Sequence, residues 1–260
     1  MLCNGRRLPL KDFAGKPGVA VVTGGTGGLG AAICRTLARR GSAIAFAYRS
    51  DHEAAQHLAD ELGAAADPVD LTDAQQAKAY LGSVVARFGA IHTVVHAAGP
   101  LVPQRHLSTV DPEDFGRHLA AEAAAFFNLV RPALPALRAS RGSIVAVTTA
   151  ATKRYPVRDG LSAGPKGAVE ATARALAAEE GRFGVRVNCV GPGMLTDGMA
   201  AALMANGELA ERALDAARRA IPLHTFGSAQ DIAEAVCFLA SDRAGFISGQ
   251  KLDVDGGYGV

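Results

Sequence analysis

A single-domain α/β fold, a Rossmann-type doubly wound parallel sheet with helices on both faces, is predicted by three features of the sequence. Short apolar runs alternate with amphipathic helical patterns along the whole chain. The first run, Val19 to Val22, leads into five glycines within seven residues, Gly24 to Gly30, and then into an Ala-rich helical pattern. No internal repeat or low-complexity linker divides the 260 residues, so 1–260 reads as one domain.

The elements follow in order. Residues 1–16 read as a short polar lead-in. Val19–Val22 is a buried strand, and a helix at about 28–40 follows the glycine turn. Gly41 stops that helix after Arg39-Arg40, which read as solvated surface complementing its C-terminal dipole. Ala43–Tyr48 is the second strand, and Asp51 caps a helix to about Leu62. Ala64–Val69 is the third strand, and Asp70-Leu-Thr-Asp73 opens a helix to Phe88. Ile91–Val95 is the fourth, closed by His96-Ala-Ala-Gly99. After a Pro-rich and polar loop, one long Ala-rich helix spans about 112–139. Ser143–Thr148 is the fifth strand, 162–181 a helix, and Val185–Val190 the sixth strand, broken by Gly191-Pro-Gly193. Two short amphipathic segments fill 196–220; a helix at 229–240 and the strand Lys251–Val254 complete the fold.

Composition excludes several function classes. A hydrophobic content of 49% supplies a sizeable core, and a net charge of +2 gives no nucleic-acid footprint. No apolar run approaches membrane-spanning length, and 1–13 lacks the apolar core of a signal peptide. Cys3, Cys34, Cys189 and Cys237 form no C-x-x-C pair and fit a reducing, cytoplasmic setting. The histidines show no ligand spacing, so no metal is expected.

Strand, glycine turn and helix together are the first unit of a dinucleotide site. Glycines permit the tight turn and close approach of backbone to a pyrophosphate, and the helix end offers free N–H groups and a positive dipole. In such sheets ligands bind beyond the carboxyl ends of the strands. The loops carrying Gly24–Gly30, His96–Gly99, Thr148–Lys166 and Gly191–Asp197 therefore share one cleft.

Five ordered motifs resemble the short-chain dehydrogenase/reductase family over essentially the whole chain. They are Thr23-Gly24-x-x-x-Gly28-x-Gly30, Asp70 after the third strand, His96-Ala97-Ala98-Gly99, Val187-Asn188-x-x-x-Pro192-Gly193, and Gly249-Gln250 with Asp255-Gly256-Gly257. The closest flavour is that of the classical 3-oxoacyl-carrier-protein reductases. The resemblance implies a cofactor set of Gly24, Thr26, Gly28, Leu29, Gly30, Asp70, Leu71, His96, Ala97, Ala98, Gly99, Lys166, Pro192, Gly193, Leu195 and Thr196. Members preferring NAD usually end the second strand with an acidic residue. Here Tyr48 is followed by Arg49 and Ser50, which suit a 2′-phosphate, so NADP(H) is expected, with Asp51 taken as the cap of the next helix.

The family's catalytic set is Asn, Ser, Tyr and Lys. Lys166 matches the lysine. Four residues before it stands Ser162 in place of the tyrosine, thirteen before that Thr149 in place of the serine, and Glu122 occupies the asparagine position. Thr149 keeps a hydroxyl. Ser162 is the severe change: a phenol titrates near ~10, whereas an alkyl hydroxyl is far harder to ionise, and the side chain is much shorter. Three readings stay open. In the first, the protein is a carbonyl reductase whose proton comes from Glu122, a Ser162-bound water or Tyr155. In the second, it catalyses non-redox chemistry with Glu122 as base. In the third, it is a weakly active or non-catalytic partner subunit. Glu122 also reads as a structural partner of Lys166 or Arg117, Ser162 as a helix N-cap, and His96 as an adenosine contact or a filler of its turn.

Met194, Met199 and Met204 with Ala200–Leu203 read as an apolar substrate lid at about 194–220, or else as packing residues of two small helices. The basic loop Lys153-Arg154-Tyr155-Pro-Val-Arg158 sits near the predicted cleft mouth, where it suits an acidic or carrier-bound carbonyl substrate and reads equally as solvated surface. Small residues on the helices at 112–139 and 162–181 suit a subunit interface, and the resemblance implies a homotetramer or homodimer.

Overall fold

The computed structural model describes residues 10–196 and 211–260. Seven parallel strands form one sheet in the order β3-β2-β1-β4-β5-β6-β7. They are β1 (Val19–Thr23), β2 (Ala43–Tyr48), β3 (Ala65–Pro68), β4 (Ile91–His96), β5 (Ser143–Val147), β6 (Arg186–Pro192) and β7 (Lys251–Val254). The order reverses between β1 and β4, which makes the edge beyond Thr23 and His96 the topological switch point. Helices α1 (Gly28–Arg39), α2 (His52–Leu62), α3 (Ala74–Phe88), α4 (Pro112–Leu119), α5 (Ala125–Ser140), α6 (Gly160–Glu180), α7 (Glu211–Arg219) and α8 (Ala229–Ala240) connect the strands.

Each sheet face buries its own core. One joins Val21, Val94 and Ile144 to Leu81, Phe126, Leu129 and Val169. The other joins Val22, Phe46 and Val145 to Ile33, Leu37, Ile232 and Val236. All five residues of β1 and all six of β4 are buried, as strands covered on both faces must be. Asp51 and Asp73 cap α2 and α3 as expected, accepting from Ala54 N at 3.0 Å and Gln75 N at 2.8 Å.

The structure corrects four expectations. The lead-in is not simply polar, because Phe13 is 1% exposed and stacks on His92. Arg40 is not solvated surface: it is buried, 2.8 Å from Asp12, and also bonded to Glu234. Arg40→Met should cost about 1–3 kcal/mol in urea denaturation, because it leaves the buried Asp12 carboxylate only the longer contact with Arg243 at 3.6 Å. The helix at 112–139 is not continuous: a π-helical turn, Ala120–Ala124, separates α4 from α5. Finally, α6 begins at Gly160, since the Asp159 carbonyl already accepts Ser162 N (3.0 Å) and Ala163 N (2.9 Å). Ser162 therefore lies inside the first turn and is not the N-cap. The first amphipathic segment at 196–220 and most of the proposed lid, Met199 and Met204 included, lie outside the described residues; the second segment is α7.

Candidate active site

The cleft starts at the glycine turn. Gly24 has φ +70, and a methyl placed on it would stand 2.8 Å from the Ala97 carbonyl oxygen. A methyl on Gly30 would stand 2.0 Å from the Gly24 carbonyl oxygen. The turn is therefore folded against both the start of α1 and the 97–98 backbone, which only glycines allow. Gly27 caps α1 without a side-chain bond, and no acidic residue occupies the first turn. That leaves N–H groups and the positive helix end for an anion. These residues fit a dinucleotide pyrophosphate.

Thr23, at the end of β1, ties the turn to β4. Its Oγ1 accepts from Ala97 N and Ala98 N, both at 3.3 Å, and spends its own proton on His96 Nδ1 at 3.2 Å. That bonding pattern makes His96 the Nε2–H tautomer. The ring is 1% exposed and packs on Phe126, while Nε2 has no hydrogen-bond partner among the described residues. His96 is thus the buried last residue of β4, and its ring offers no open face to adenosine. Burial, then the nearby Lys166 charge, lowers its pKa to about 3. Folding holds the ring neutral, so its contribution to stability is complete above the unfolded value near 6.5 and is lost as pH falls from there towards about 3. His92, lowered to about 4 chiefly by burial, acts in the same direction. His96→Asn should flatten the fall of Tm between pH 6.5 and pH 4, where the slope is about 1.4 kcal/mol per pH unit for each such group. An unaltered slope would show that His96 is not the group titrating.

The wall continues from that turn to Lys166. A methyl on Gly99 would lie 2.8 Å from Glu122 Oε1. Lys166 Nζ lies 2.8 Å from Oε1 and donates to Oε2 at 3.0 Å. Oε1, though nearer, receives no hydrogen bond of good angle among the described residues. The two side chains are 14% and 3% exposed. Of the two partners expected for Glu122, Lys166 is the one present, and Arg117 bonds to Asp114 instead. The π turn aims Glu122 into this wall; its sequence, Ala-Ala-Glu-Ala-Ala, carries no signal for it.

The remaining site residues flank the pair. Thr149 Oγ1 accepts from Ala151 N at 3.1 Å, which leaves its hydroxyl proton to give. Ser162 is 9% exposed, and its hydroxyl has no partner among the described residues. Tyr155 is 70% exposed and turned away into solvent. Arg49 and Ser50 are exposed beyond β2, and Arg49 has no ion pair among the described residues. Asp70 accepts from Thr72 N at 2.9 Å, beside the buried Leu71. Gly193 donates to Val254 O at 2.9 Å; Leu195 is core, and the Thr196 hydroxyl donates to Gly227 O at 3.3 Å.

Sequence reasoning missed Asp159. It is the N-cap of α6 but makes no capping bond; its Oδ1 accepts from Gln104 Nε2 at 3.0 Å. Burial raises its pKa, against the opposing effects of Gln104 and the Lys166 charge. The available signal was the spacing 159, 162, 166, one stripe of a helix. Another cleft, of about 880 Å³, opens at the amino ends of the strands, with Lys16, Arg141 and Phe246 in its lining. Its Lys16 is already 2.6 Å from Asp242, and Arg186 there is spent on the carbonyls of Leu239, Ala240 and Ser241. Cys34, Cys189 and Cys237 are buried free thiols, pushed up to about 12 by burial. Among the described residues no cluster of three or more His, Cys, Asp or Glu could hold a metal, and no helix is long and apolar enough to cross a membrane.

Comparison with known proteins agrees with this architecture. A family model described as enoyl-(acyl carrier protein) reductase matches residues 24–259. The L-fucose dehydrogenase of Oryctolagus cuniculus is 34% identical over 246 residues, 94% of this chain and 85% of the relative. The 3-oxoacyl-[acyl-carrier-protein] reductase FabG of Staphylococcus aureus is 32% identical over 251 residues, 92% of this chain and 96% of the relative. A solved short-chain type dehydrogenase/reductase from Mycobacterium ulcerans superposes with a TM-score of 0.86 at 28% identity, covering 94% of this chain and 90% of that one. With the switch-point cleft, the glycine cradle and Lys166 in place, the chain belongs to the short-chain dehydrogenase/reductase family and is an oxidoreductase of that type.

Proposed function

We propose that the protein reduces a ketone or 3-oxoacyl-type carbonyl with NADPH, at a site where Ser162 stands in for the family tyrosine. The observation that carries this reading is continuity. The uncapped end of α1, the Ala97–Gly99 turn, Glu122 and Lys166 form one unbroken wall of the switch-point cleft. Reduced nicotinamide, when bound, supplies the hydride. Gly24, Thr26, Gly28, Leu29 and Gly30 would hold the pyrophosphate, Arg49 and Ser50 the 2′-phosphate, and Asp70 and Leu71 the adenine. Ala97–Gly99 and Lys166 would hold the ribose, and Pro192, Gly193, Leu195 and Thr196 the nicotinamide. Thr149 orients the substrate oxygen. The exposed Leu101, Leu107 and Val157 suit an apolar substrate body, and Lys153 with Arg154 suits an acidic or carrier-bound one. The protein acts in the cytoplasm as a homotetramer or homodimer; Phe115, Leu119 and Phe127 are exposed on α4 and α5, and Ala171, Ala175 and Ala178 on α6.

A fluorescence titration tests the cofactor reading. Saturable NADPH binding, tighter than NADH binding, is expected. Arg49→Ala should weaken NADPH about ten- to a hundredfold, the worth of one charge-assisted contact, and leave NADH unchanged. Equal loss for both cofactors would remove Arg49 from phosphate recognition. A second reading, a weakly active partner subunit, is favoured by the Glu122–Lys166 pair, which occupies the ammonium. Failure to bind either cofactor would bring that reading forward.

A further inference from the structure

The proposed reduction leaves one group to be found, the donor of the proton that the carbonyl oxygen must take. Tyr155 faces solvent, the Ser162 hydroxyl is a poor acid, and the Glu122 carboxylate is bound to Lys166. Asp159 stands one turn before Ser162, and Asp159, Ser162 and Lys166 occupy positions i, i+3 and i+7. Long side chains on a helix lie back over the preceding turn. The space that a tyrosine at 162 would reach is thus the space over Asp159. An N-cap aspartate ordinarily turns its carboxylate onto the first helical N–H groups, but this one forgoes that bond and faces Gln104 of the loop after β4. That loop is held against the start of α6 by Arg105 N donating to Arg158 O at 3.1 Å and by Arg158 Nε to His106 Nε2 at 3.3 Å. Half-burial between the two segments favours the protonated acid over the carboxylate.

We infer that Asp159 is the general acid of this site, doing for the substrate oxygen what the absent tyrosine would do. The inference rests on the reductase reading above. As the carbonyl carbon accepts hydride, the C=O π pair moves onto oxygen and that oxygen takes the carboxyl proton of Asp159. The carboxylate left behind is stabilised by the Lys166 charge and regains a proton from solvent, which its half-exposed position admits. One hydride and one proton are added, and dihydronicotinamide is the reductant.

Two measurements test it, on the full chain. The first is the carboxyl carbon titration of Asp159 by NMR, assigned by difference from Asp159→Asn, without cofactor. A value above the ordinary ~3.9 is expected, and a value at or below it overturns the inference whatever the turnover. The second is NADPH oxidation with 9,10-phenanthrenequinone and with acetoacetyl-N-acetylcysteamine as probes. Asp159→Asn keeps the Gln104 bond and should lower kcat about a hundredfold or more, with NADPH binding intact. Adding Ser162→Tyr should restore turnover, a rescue that a merely structural role for Asp159 would not permit. Undiminished kcat in Asp159→Asn overturns the inference and leaves the reductase reading standing. Wild-type protein that binds NADPH but reduces neither probe overturns both.

Discussion

Gly30→Ala is expected to abolish dinucleotide binding. The added methyl would stand 2.0 Å from the Gly24 carbonyl oxygen and 2.6 Å from its carbon, both rigid backbone atoms. Relief requires α1 to move away from the turn. That motion costs about 1–3 kcal/mol of stability, as overpacking does, and separates the first-turn N–H groups from the cradle. Two lost hydrogen bonds to phosphate, about 1.5–3 kcal/mol each, weaken NADPH by a hundredfold or more. Fluorescence titration beside a circular dichroism melt separates loss of binding from loss of fold. Folded Gly30→Ala that binds NADPH at wild-type strength would show that the phosphates lie elsewhere.

Lys166→Met should be equally severe by a different route. Removing the ammonium leaves the Glu122 carboxylate, 3% exposed, without its partner, which costs about 3–5 kcal/mol. Turnover should vanish as well. Glu122→Gln in the same chain should return most of the stability, because the unpaired charge is gone, yet none of the turnover. Urea denaturation measures the first effect and NADPH oxidation the second. If Lys166→Met retained the wild-type rate, Lys166 would have no part in the chemistry.

The frame of the fold was readable because local and long-range signals agree in it. β1, the glycine turn and α1 each carry their own pattern, and the two aspartate caps stand where helix starts demand them. What was hidden depends on partners remote in sequence. Phe13 and Arg40 look like surface until the chain brings His92 to the first and Asp12 and Glu234 to the second. His96 looks like a turn residue until Thr23 receives its ring. Ser162 resembles a cap because serine is a good one, but the Asp159 carbonyl starts the helix a turn earlier. Lys166 and the three substituted positions, Glu122, Thr149 and Ser162, were assigned by resemblance and spacing, whereas the pairing of Glu122 with Lys166 took tertiary structure to select.

The π turn has a consequence for how this gene tolerates length change. A helix closed by i→i+5 bonds holds one more residue per turn than its neighbours. Deleting one codon among Ala120–Ala124 would not shorten a loop; it would let α4 and α5 fuse in regular register. Because the wide turn already absorbs the extra residue, the helices on either side would keep close to their present orientation. What would change is the aim of the turn's own residues: Glu122 would leave the wall it shares with Lys166, while Phe115 would stay against Gly164. A single-codon deletion scan should therefore give folded protein at these five codons and unfolding at codons within α4 or α5, with turnover lost wherever Glu122 is re-aimed.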